Sequence, residues 1–520
     1  MTHSANLEKR QDGCKQKIFG GDILKLSINK KRNRGNNSEY WVYLFLLFTG
    51  FIFVLNFSYS TSPLTPYYWG GDTAQFLTIG KAWCLGKIPY KEMFDHKGPF
   101  IFFVDMVGFA LTRGKSTIGV FALQVVFMLF SLIAFYKIGR LFLDSASFGI
   151  MTCLMALICT KLNYVEGNTV EEYCVPFIAW SLYGIAKWFK GEDHALHDPM
   201  WAFVYGLTFG VCLLTRVTNA ITIVPSIGMI FFLLLYRKKY KNILQNMGGF
   251  LVGFFVIVLP FSLYFAYKNC FYEYIDGMIL YNVKYANARK SWIFNATSAD
   301  VIGFIKNFFV AWSILLAALL CALRKNYLLS FYYALTGIAE LWLFMGGDNF
   351  GQYAYVCLPQ VCLLIGEIAC SIRKNGCEGI LSIVSVQILC WFMGICILDC
   401  MSVAPEIHRN FKNRYDRGWD SLIAEIPEED KNSFVAYGDN RLKELYLLND
   451  IMPCYKYFSI QEWHASMSTE TREKIHATFA TNQAKWILVG GETTVIDDVL
   501  KSAYKLVDSN ENYMLYRLNT

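Results

Sequence analysis

Asp72 stands in the segment of the sequence that most clearly suggests chemistry. The segment reads Tyr67-Tyr-Trp-Gly-Gly-Asp-Thr-Ala-Gln-Phe. Gly70 and Gly71 let the backbone turn tightly, which places the carboxylate of Asp72 at the start of a predicted helix. Asp72 is then either an ordinary N-cap of that helix or a general base that deprotonates an attacking hydroxyl or amine. We expect Tyr68, four residues earlier, to contact the substrate.

A second segment offers a cation, Lys97. It reads Tyr90-Lys-Glu-Met-Phe-Asp-His-Lys-Gly-Pro, so Lys97 precedes a helix that opens with Gly98-Pro99. A lysine together with free backbone N–H groups at a helix start can hold a phosphate. The alternative is a lysine that snorkels to ordinary lipid headgroups. We assign His96 to the same phosphate site and Asp95 to substrate binding.

The third segment carries acidic residues and reads Tyr164-Val-Glu-Gly-Asn-Thr-Val-Glu-Glu-Tyr. Glu171 and Glu172 fall in the first turn of an apolar helix, where the helix dipole alone favours carboxylates. In the functional interpretation they supply a second carboxylate near Asp72, which orients the acceptor or helps to hold a divalent metal. Arg216 can neutralise this cluster or bind phosphate, and Glu166 is a candidate substrate contact. We assign no metal ligand and no other cofactor.

These residues are set in a strongly apolar chain. Of its 520 residues, 55% are hydrophobic and 17% are charged, whereas an average soluble domain has about 25% charged residues. This composition excludes a disordered protein and argues against a fully soluble enzyme. The mean hydropathy of +0.32 is moderate, so part of the chain should lie in water.

The apolar runs predict a multi-pass membrane protein. A bilayer needs about 20 apolar residues per helix, and eleven runs qualify or nearly do: 40–58, 118–137, 146–160, 173–189, 201–215, 217–235, 247–268, 301–322, 327–345, 353–371 and 378–398. Basic clusters such as Arg237–Lys241 follow alternate spans. All of them fall on the cytoplasmic side if the N-terminus is cytoplasmic. The net charge of +7 therefore marks a membrane face and anionic lipid, and we expect no nucleic-acid partner.

The same topology places the candidate residues on the outer side. Residues 98–112 are too short to span and carry Asp105, so we predict a helix at the outer interface. We divide the chain into a basic cytoplasmic tail (1–39), a transmembrane domain (40–398, with a first outer loop at 59–117) and an extracytoplasmic domain (399–520). Strand-like runs follow Ser433, Lys485 and Tyr513, and 469–481 is helical in pattern. The last domain is therefore predicted to be a small α/β domain.

With these residues in place, the chain resembles membrane glycosyltransferases of the GT-C fold, closest to the bacterial relatives of protein O-mannosyltransferases and aminoarabinose transferases. The likeness covers roughly residues 40–400. It rests on Asp72, on Gly86-Lys-Ile-Pro-Tyr followed by Phe94-Asp-His-Lys-Gly-Pro, on Glu171-Glu172 before Pro176, on Arg216, and on the Tyr353 to Pro359 stretch. The chain has Asp72-Thr73 where the family often has Asp-Glu, and Gln352 where a histidine is common.

The resemblance implies an enzyme of the plasma membrane that uses a polyprenyl-phosphate sugar. It would transfer the sugar, with inversion, to a glycan, lipid or protein acceptor at the outer face. Asp72 would be the base, Lys97 would bind the donor phosphate, Glu171 or Glu172 would be the second carboxylate, and Tyr353 would contact substrate.

Two other functions stay open from the sequence. A secondary transporter or lipid flippase would need polar groups near the midplane, and often has inverted repeats or broken helix pairs. Glu340 and Glu367 are two acidic residues inside predicted spans that have no obvious partner in the sequence, and we expect structural hydrogen bonds for both. A membrane anchor that presents residues 399–520 as a binding module would leave the long, charged first loop unexplained.

Overall fold

The structure is a computed structural model, and it describes residues 20–64, 71–191, 195–288, 293, 296–347, 349–375, 379–412 and 417–519. The chain divides into two compact units, Met1–Thr49 and Gly50–Thr520. The longer helices outside the C-terminal domain are Gly20–Phe57, Gly71–Cys84, Pro99–Leu111, Ile118–Phe142, Ala146–Tyr164, Val170–Lys190, Pro199–Leu213, Val224–Tyr236, Tyr240–Tyr267, Tyr281–Ala288, Ser298–Asn307, Trp312–Leu323, Tyr327–Met345, Leu358–Asn375 and Ile380–Lys412.

The predicted spans fall on these helices. Within the described part of the chain, five helices are long and apolar enough to cross a membrane: Glu39–Phe57, Ile118–Phe142, Tyr240–Tyr267, Tyr327–Met345 and Gly351–Lys374. The pair Ser298–Asn307 and Phe309–Leu323 is bent by 64° and makes a sixth if it is one span. Ala146–Thr160, Pro199–Leu213, Val224–Tyr236 and Ser382–Leu398 are apolar but shorter. The chain is a helical, multi-pass membrane protein, and these criteria do not yield the predicted count of eleven.

Two helices differ from their predicted bounds. The first begins at Gly20, inside the segment predicted as a tail, and the last runs from Ile380 to Lys412, past the predicted boundary at 398. A helix is expected between residues 98 and 112, and Pro99–Leu111 is helical. It begins where Pro99, with its fixed φ and missing N–H, suits the first helical turn.

The C-terminal domain has a four-stranded sheet. Its strands are β1 (Phe434–Gly438), β2 (Trp486–Gly490), β3 (Tyr504–Ser509) and β4 (Met514–Leu518), in the order β1-β2-β4-β3. The pair β1–β2 is parallel, and the other two pairs are antiparallel. Short helices surround the sheet: Asp420–Ala424, Asn440–Glu444 (a 3₁₀ helix), Leu445–Leu448, Gln461–Ala465, Thr469–Phe479 and Asp497–Ala503. This region therefore has both helices and a sheet, as the sequence predicts, and β3 is a strand that the sequence pattern did not indicate.

The two glutamates inside the predicted spans have partners on neighbouring helices. Glu340 accepts a hydrogen bond from the Gln360 side chain, and Glu367 pairs with Arg324 and accepts a bond from the Tyr333 hydroxyl (3.1 Å). Bonds of this kind between helices satisfy polar groups that lipid cannot solvate. The expectation of structural hydrogen bonds is confirmed for both residues.

Candidate active site at the first loop

Asp72 lies in the first turn of the Gly71–Cys84 helix. Its Oδ1 atom accepts a hydrogen bond from the Lys443 ammonium of the C-terminal domain (3.2 Å). The Asp72 side chain is 62% exposed, whereas that of Lys443 is 1% exposed. Desolvation raises the pKa of Asp72, but the charges of Lys443 and Lys97 outweigh it, so the pKa is lowered overall. Asp72 is therefore an ionised carboxylate that is open on one side.

The turn that follows Lys97 fixes this lysine next to Arg216. The Gly98 N–H donates to the Thr215 carbonyl (3.0 Å), and the Phe100 N–H donates to the Leu214 carbonyl (2.9 Å). A Cβ atom at Gly98 would overlap the Leu214 carbonyl, so only glycine allows this approach. The prediction that free N–H groups of this helix start hold a phosphate is wrong for these two, because carbonyl groups of a distant helix end already occupy them.

Lys97 lies among four charged residues that influence its pKa, namely Asp72, Asp95, Glu171 and Arg216. Its pKa is lowered, first by burial and then by the charge of Arg216, while Asp72, Asp95 and Glu171 oppose this shift. Its Nζ atom lies 2.9 Å from Nε2 of His96. Burial and the neighbouring cations hold the pKa of His96 well below its usual value, so the neutral imidazole accepts a hydrogen bond from Lys97 and does not act as a cation.

Arg216 connects two elements of the site. Its Nη1 atom lies 3.3 Å from Oε1 of Glu171, and its guanidinium carbon lies 3.4 Å from the centroid of the Tyr353 ring. Stacking on an aromatic face and pairing with a carboxylate both suit the planar guanidinium. The structure thus brings together Glu171, Arg216 and Tyr353, which come from three separate stretches of sequence.

Glu172 has a different environment from its neighbour. It accepts hydrogen bonds from the side chains of Gln124 (2.9 Å) and Tyr164 (2.8 Å) and from the Asn168 backbone N–H (2.7 Å). All four residues are buried. These bonds hold the 164–172 turn against the Ile118–Phe142 helix, so Glu172 supports the site and Glu171 faces it.

Asp95 lies close enough to Asp72 to feel its charge, and it is almost fully buried. It accepts hydrogen bonds from the Gln75 side chain (2.5 Å) and from the Lys97 backbone N–H (2.7 Å). Burial raises the pKa of Asp95 to about 6, although Lys97 lowers it. This carboxylate orients the backbone at Lys97 rather than opening to solvent.

Tyr68 and Glu166 are the two remaining predicted substrate contacts. Tyr68 lies outside the described residues. Glu166 is half-buried, and its backbone carbonyl accepts a hydrogen bond from the Ser60 N–H (3.4 Å). The next residue, Gly167, accepts a bond from the Thr73 hydroxyl (3.1 Å). The 164–172 turn is thereby held next to Asp72.

Sequence reasoning missed Lys443 altogether. It is separated from Asp72 by 371 positions and stands in an ordinary polar run, Asp439-Asn-Arg-Leu-Lys-Glu. Nothing in that run distinguishes a buried lysine from a solvated one. Its one local signal is Leu442 and Leu445 on either side, which indicate that the segment packs against an apolar surface.

The charged residues around Asp72 determine whether a divalent metal fits at this carboxylate. Among the residues that the structure describes, no group of three or more His, Cys, Asp or Glu side chains is placed to hold a metal ion. Lys97 and Lys443 face Asp72, and a cation at this carboxylate would be repelled by both. The residues present therefore do not fit a divalent metal at Asp72.

Comparison with known proteins supports the resemblance. A model of the dolichyl-phosphate-mannose-protein mannosyltransferase family matches residues 96–265. No curated protein matches the chain by sequence.

Solved structures give the fold. The structure of ArnT from Cupriavidus metallidurans bound to undecaprenyl phosphate is similar with a TM-score of 0.54 and 11% identity, covering 92% of this chain and 98% of that one. The apo structure of the same protein gives 0.51 and 11%, covering 93% and 98%. The archaeal oligosaccharyltransferase AglB from Archaeoglobus fulgidus, in complex with an inhibitory peptide and a dolichol-phosphate, gives 0.46 and 12%, covering 87% and 70%. The chain therefore has the ArnT-like GT-C fold, and the predicted resemblance is confirmed.

Proposed function

We propose that this protein is an inverting glycosyltransferase that moves a sugar from a polyprenyl-phosphate donor to an acceptor at the outer face of the membrane. One observation carries the proposal. A partly exposed, ionised carboxylate, Asp72, stands beside the cations Lys97 and Lys443, with the Arg216–Glu171 pair adjoining Lys97. A base next to cations suits a reaction whose leaving group is a phosphate anion.

The chemistry is a single displacement. Asp72 accepts the proton of the acceptor hydroxyl or amine as its oxygen or nitrogen attacks the anomeric carbon. The bond from that carbon to the phosphate oxygen breaks on the opposite side, which inverts the centre. The bonding electrons leave with the polyprenyl phosphate. Lys97 and Arg216 stabilise the charge that develops on it, and Asp72 then releases the proton to solvent.

The other assignments are part of this proposal. Glu171 is the second carboxylate and pairs with Arg216, and Glu172 holds the 164–172 turn in place through its hydrogen bonds. His96 accepts a hydrogen bond from Lys97, and Asp95 fixes the Lys97 backbone. We retain Tyr68, Glu166 and Tyr353 as substrate contacts.

The topology is proposed in the same way. We propose eleven spans, a cytoplasmic tail over residues 1–39 and an outer domain over residues 399–520. This arrangement places every basic cluster that flanks a span on the cytoplasmic side and the candidate site outside. The likeness to ArnT, whose structure holds undecaprenyl phosphate, and the matching mannosyltransferase family model support a lipid-linked donor. The acceptor is a cell-envelope glycan, a lipid or a protein.

Transport across the membrane is the alternative function. Ionisable residues inside predicted spans, such as Glu340 and Glu367, would favour it. Glu340 and Glu367 instead bond to Gln360, Arg324 and Tyr333 of neighbouring helices. In contrast, the described candidates Asp95, Lys97 and Glu171 interact electrostatically with Asp72 or with one another. This distribution supports a reaction site at one face over a path across the bilayer.

Reconstitution with a panel of polyprenyl-phosphate sugars tests the proposal. Wild-type protein should transfer at least one sugar, and Asp72→Asn should reduce transfer at least about 100-fold, as expected for a lost general base. Asp450→Asn is the matched control, since it neutralises an aspartate whose partner, Lys81, lies in the same Gly71–Cys84 helix. Full transfer by a folded Asp72→Asn protein would refute the assignment of the base.

Mass analysis of envelope glycans in a deletion strain would identify the acceptor.

A further inference from the structure

The Lys443 ammonium is buried against the first loop. Its side chain is 1% exposed and lies 3.2 Å from Asp72. Desolvating an ammonium is costly unless a carboxylate or several hydrogen bonds compensate. A lysine in this position is therefore stable only if the Asp72 carboxylate stays charged and close.

Close packing on both sides of the contact holds Lys443 in place. A Cβ atom at Gly71 would overlap the Asn440 side chain, so the absence of a side chain lets the Asn440–Glu444 helix approach. Leu447, just after it, packs in one core cluster with Ala74 and Leu77. The Ser459 hydroxyl also donates to the Gln75 side chain (3.1 Å). The lysine is thus built into an interface and does not reach across a gap.

We infer that Lys443 is a positioning residue for the Asp72 carboxylate, so that the C-terminal domain completes the reaction site. This inference rests on the proposed function. The ammonium binds Oδ1 of Asp72, which fixes the carboxylate plane, while the 62% exposure of the side chain leaves it open to an acceptor hydroxyl. Lys443 also keeps the carboxylate ionised over a wide pH range.

The other titratable groups near this pair stay in place when Lys443 is changed. The charge of Lys97 lowers the pKa of Asp72, and the charge of Lys443 acts on Asp95, His96 and His464. Burial and the charge of Lys443 lower the pKa of His464 to about 3, and burial with several cations holds that of His96 well below its usual value, so both are neutral. Without Lys443, desolvation of Asp72 is opposed by Lys97 alone, and its pKa should rise by about 1 to 2 units.

Kinetics provide the first test. In Lys443→Met, the acid limb of kcat/KM for the acceptor should move to higher pH by about 1 unit or more, and kcat should fall about 10-fold or more, with KM for the donor nearly unchanged. Lys443→Arg should restore the wild-type acid limb. Lys443→Gln keeps a hydrogen-bond donor without charge, and it serves if the Met variant does not fold. Glu470→Gln is the control, because it breaks an ion pair of the same domain with Lys284 away from Asp72.

Carbodiimide labelling of carboxyl groups, read by mass spectrometry, provides a test that needs no transfer activity. This reagent reacts with protonated carboxyls, and the exposed Asp72 is within its reach. The labelling midpoint of Asp72 should rise by about 1 unit or more in Lys443→Met and Lys443→Gln, and should stay in place in Glu470→Gln. A midpoint and an acid limb that do not move would overturn the inference. If the midpoint moves in these variants but the wild-type protein transfers no sugar, the interaction of Lys443 with Asp72 is supported and the proposed function is refuted instead.

Discussion

Neutralising Glu171 and neutralising Glu172, two adjacent residues, should affect different properties of the protein. Glu172 accepts three hydrogen bonds, from Gln124 (2.9 Å), Tyr164 (2.8 Å) and the Asn168 N–H (2.7 Å). Glu171 instead lies 3.3 Å from Arg216, which is 24% exposed. We therefore expect a stability defect from substitution of Glu172 and an activity defect from substitution of Glu171.

The magnitudes follow from these contacts. Glu172→Ala leaves three buried donors without an acceptor, and each such group costs about 1–3 kcal/mol. Partial relaxation reduces the total, so we expect a loss of about 3 kcal/mol or more. Glu171 is itself buried, but Glu171→Gln keeps an oxygen that can accept from Arg216, which stays stacked on Tyr353 and 24% exposed. We therefore expect a smaller loss, about 1–2 kcal/mol. The transfer rate of this variant should fall about 10- to 100-fold, because Arg216 is held less firmly beside the donor phosphate.

The assay compares Glu171→Gln, Glu172→Gln and Glu172→Ala with wild-type protein in one detergent. Thermal unfolding should rank Glu172→Ala lowest, with Glu172→Gln between it and Glu171→Gln, because glutamine keeps one acceptor oxygen. Transfer per folded molecule should be lowest for Glu171→Gln. The reasoning is refuted if Glu172→Ala unfolds at the wild-type temperature, or if Glu171→Gln keeps full transfer while it loses as much stability as Glu172→Ala.

Two further predictions concern the residues around Lys97. Lys97→Ala should raise KM for the polyprenyl-phosphate donor about 10-fold or more, with a smaller change for the acceptor; equal changes in both would argue against a phosphate role. Asp95 titrates at a pKa of about 6 instead of 3.8, so the folded protein binds this proton more tightly than the unfolded chain does. Its contribution of about 3 kcal/mol is complete below the lower value and is lost as the pH rises to the higher one. Asp95→Asn should flatten the pH dependence of the unfolding temperature in that window, and an unchanged slope would count against the buried carboxyl.

The sequence predicts most of the helices because each must bury or expose a continuous apolar surface. The Pro99–Leu111 helix and three of the four strands in the C-terminal domain follow from the same patterns. The strand β3 (Tyr504–Ser509) does not. One residue of β3 is buried and the next five are exposed, so this edge strand lacks the alternation of apolar and polar residues that marks a half-buried strand.

The site is predictable to the extent that its residues are locally unusual. Asp72 and Lys97 stand out because charged groups are expensive near a membrane. The separation of Glu171 from Glu172 depends on Arg216 and Gln124, which lie 45 and 48 positions away. The Gly98 and Phe100 N–H groups are not free for the predicted anion site, because the Thr215 and Leu214 carbonyls accept their hydrogen bonds. In both cases the deciding partner is distant in sequence and has an ordinary local pattern.

The C-terminal domain is better explained as part of the proposed reaction site than as a module displayed by an anchor. A displayed module would need one flexible tether, whereas this domain contacts both the first loop and the Tyr281–Ala288 helix. The Phe94 N–H donates to the Lys456 carbonyl (2.9 Å), the Lys87 ammonium donates to the Pro453 carbonyl (2.7 Å), and Tyr281 pairs with His464 (2.7 Å). These contacts surround the 94–97 segment that carries Asp95 and Lys97. Because each would be lost if the domain moved away, its position and the geometry of the site are coupled, and mutations that loosen it should lower transfer without touching substrate.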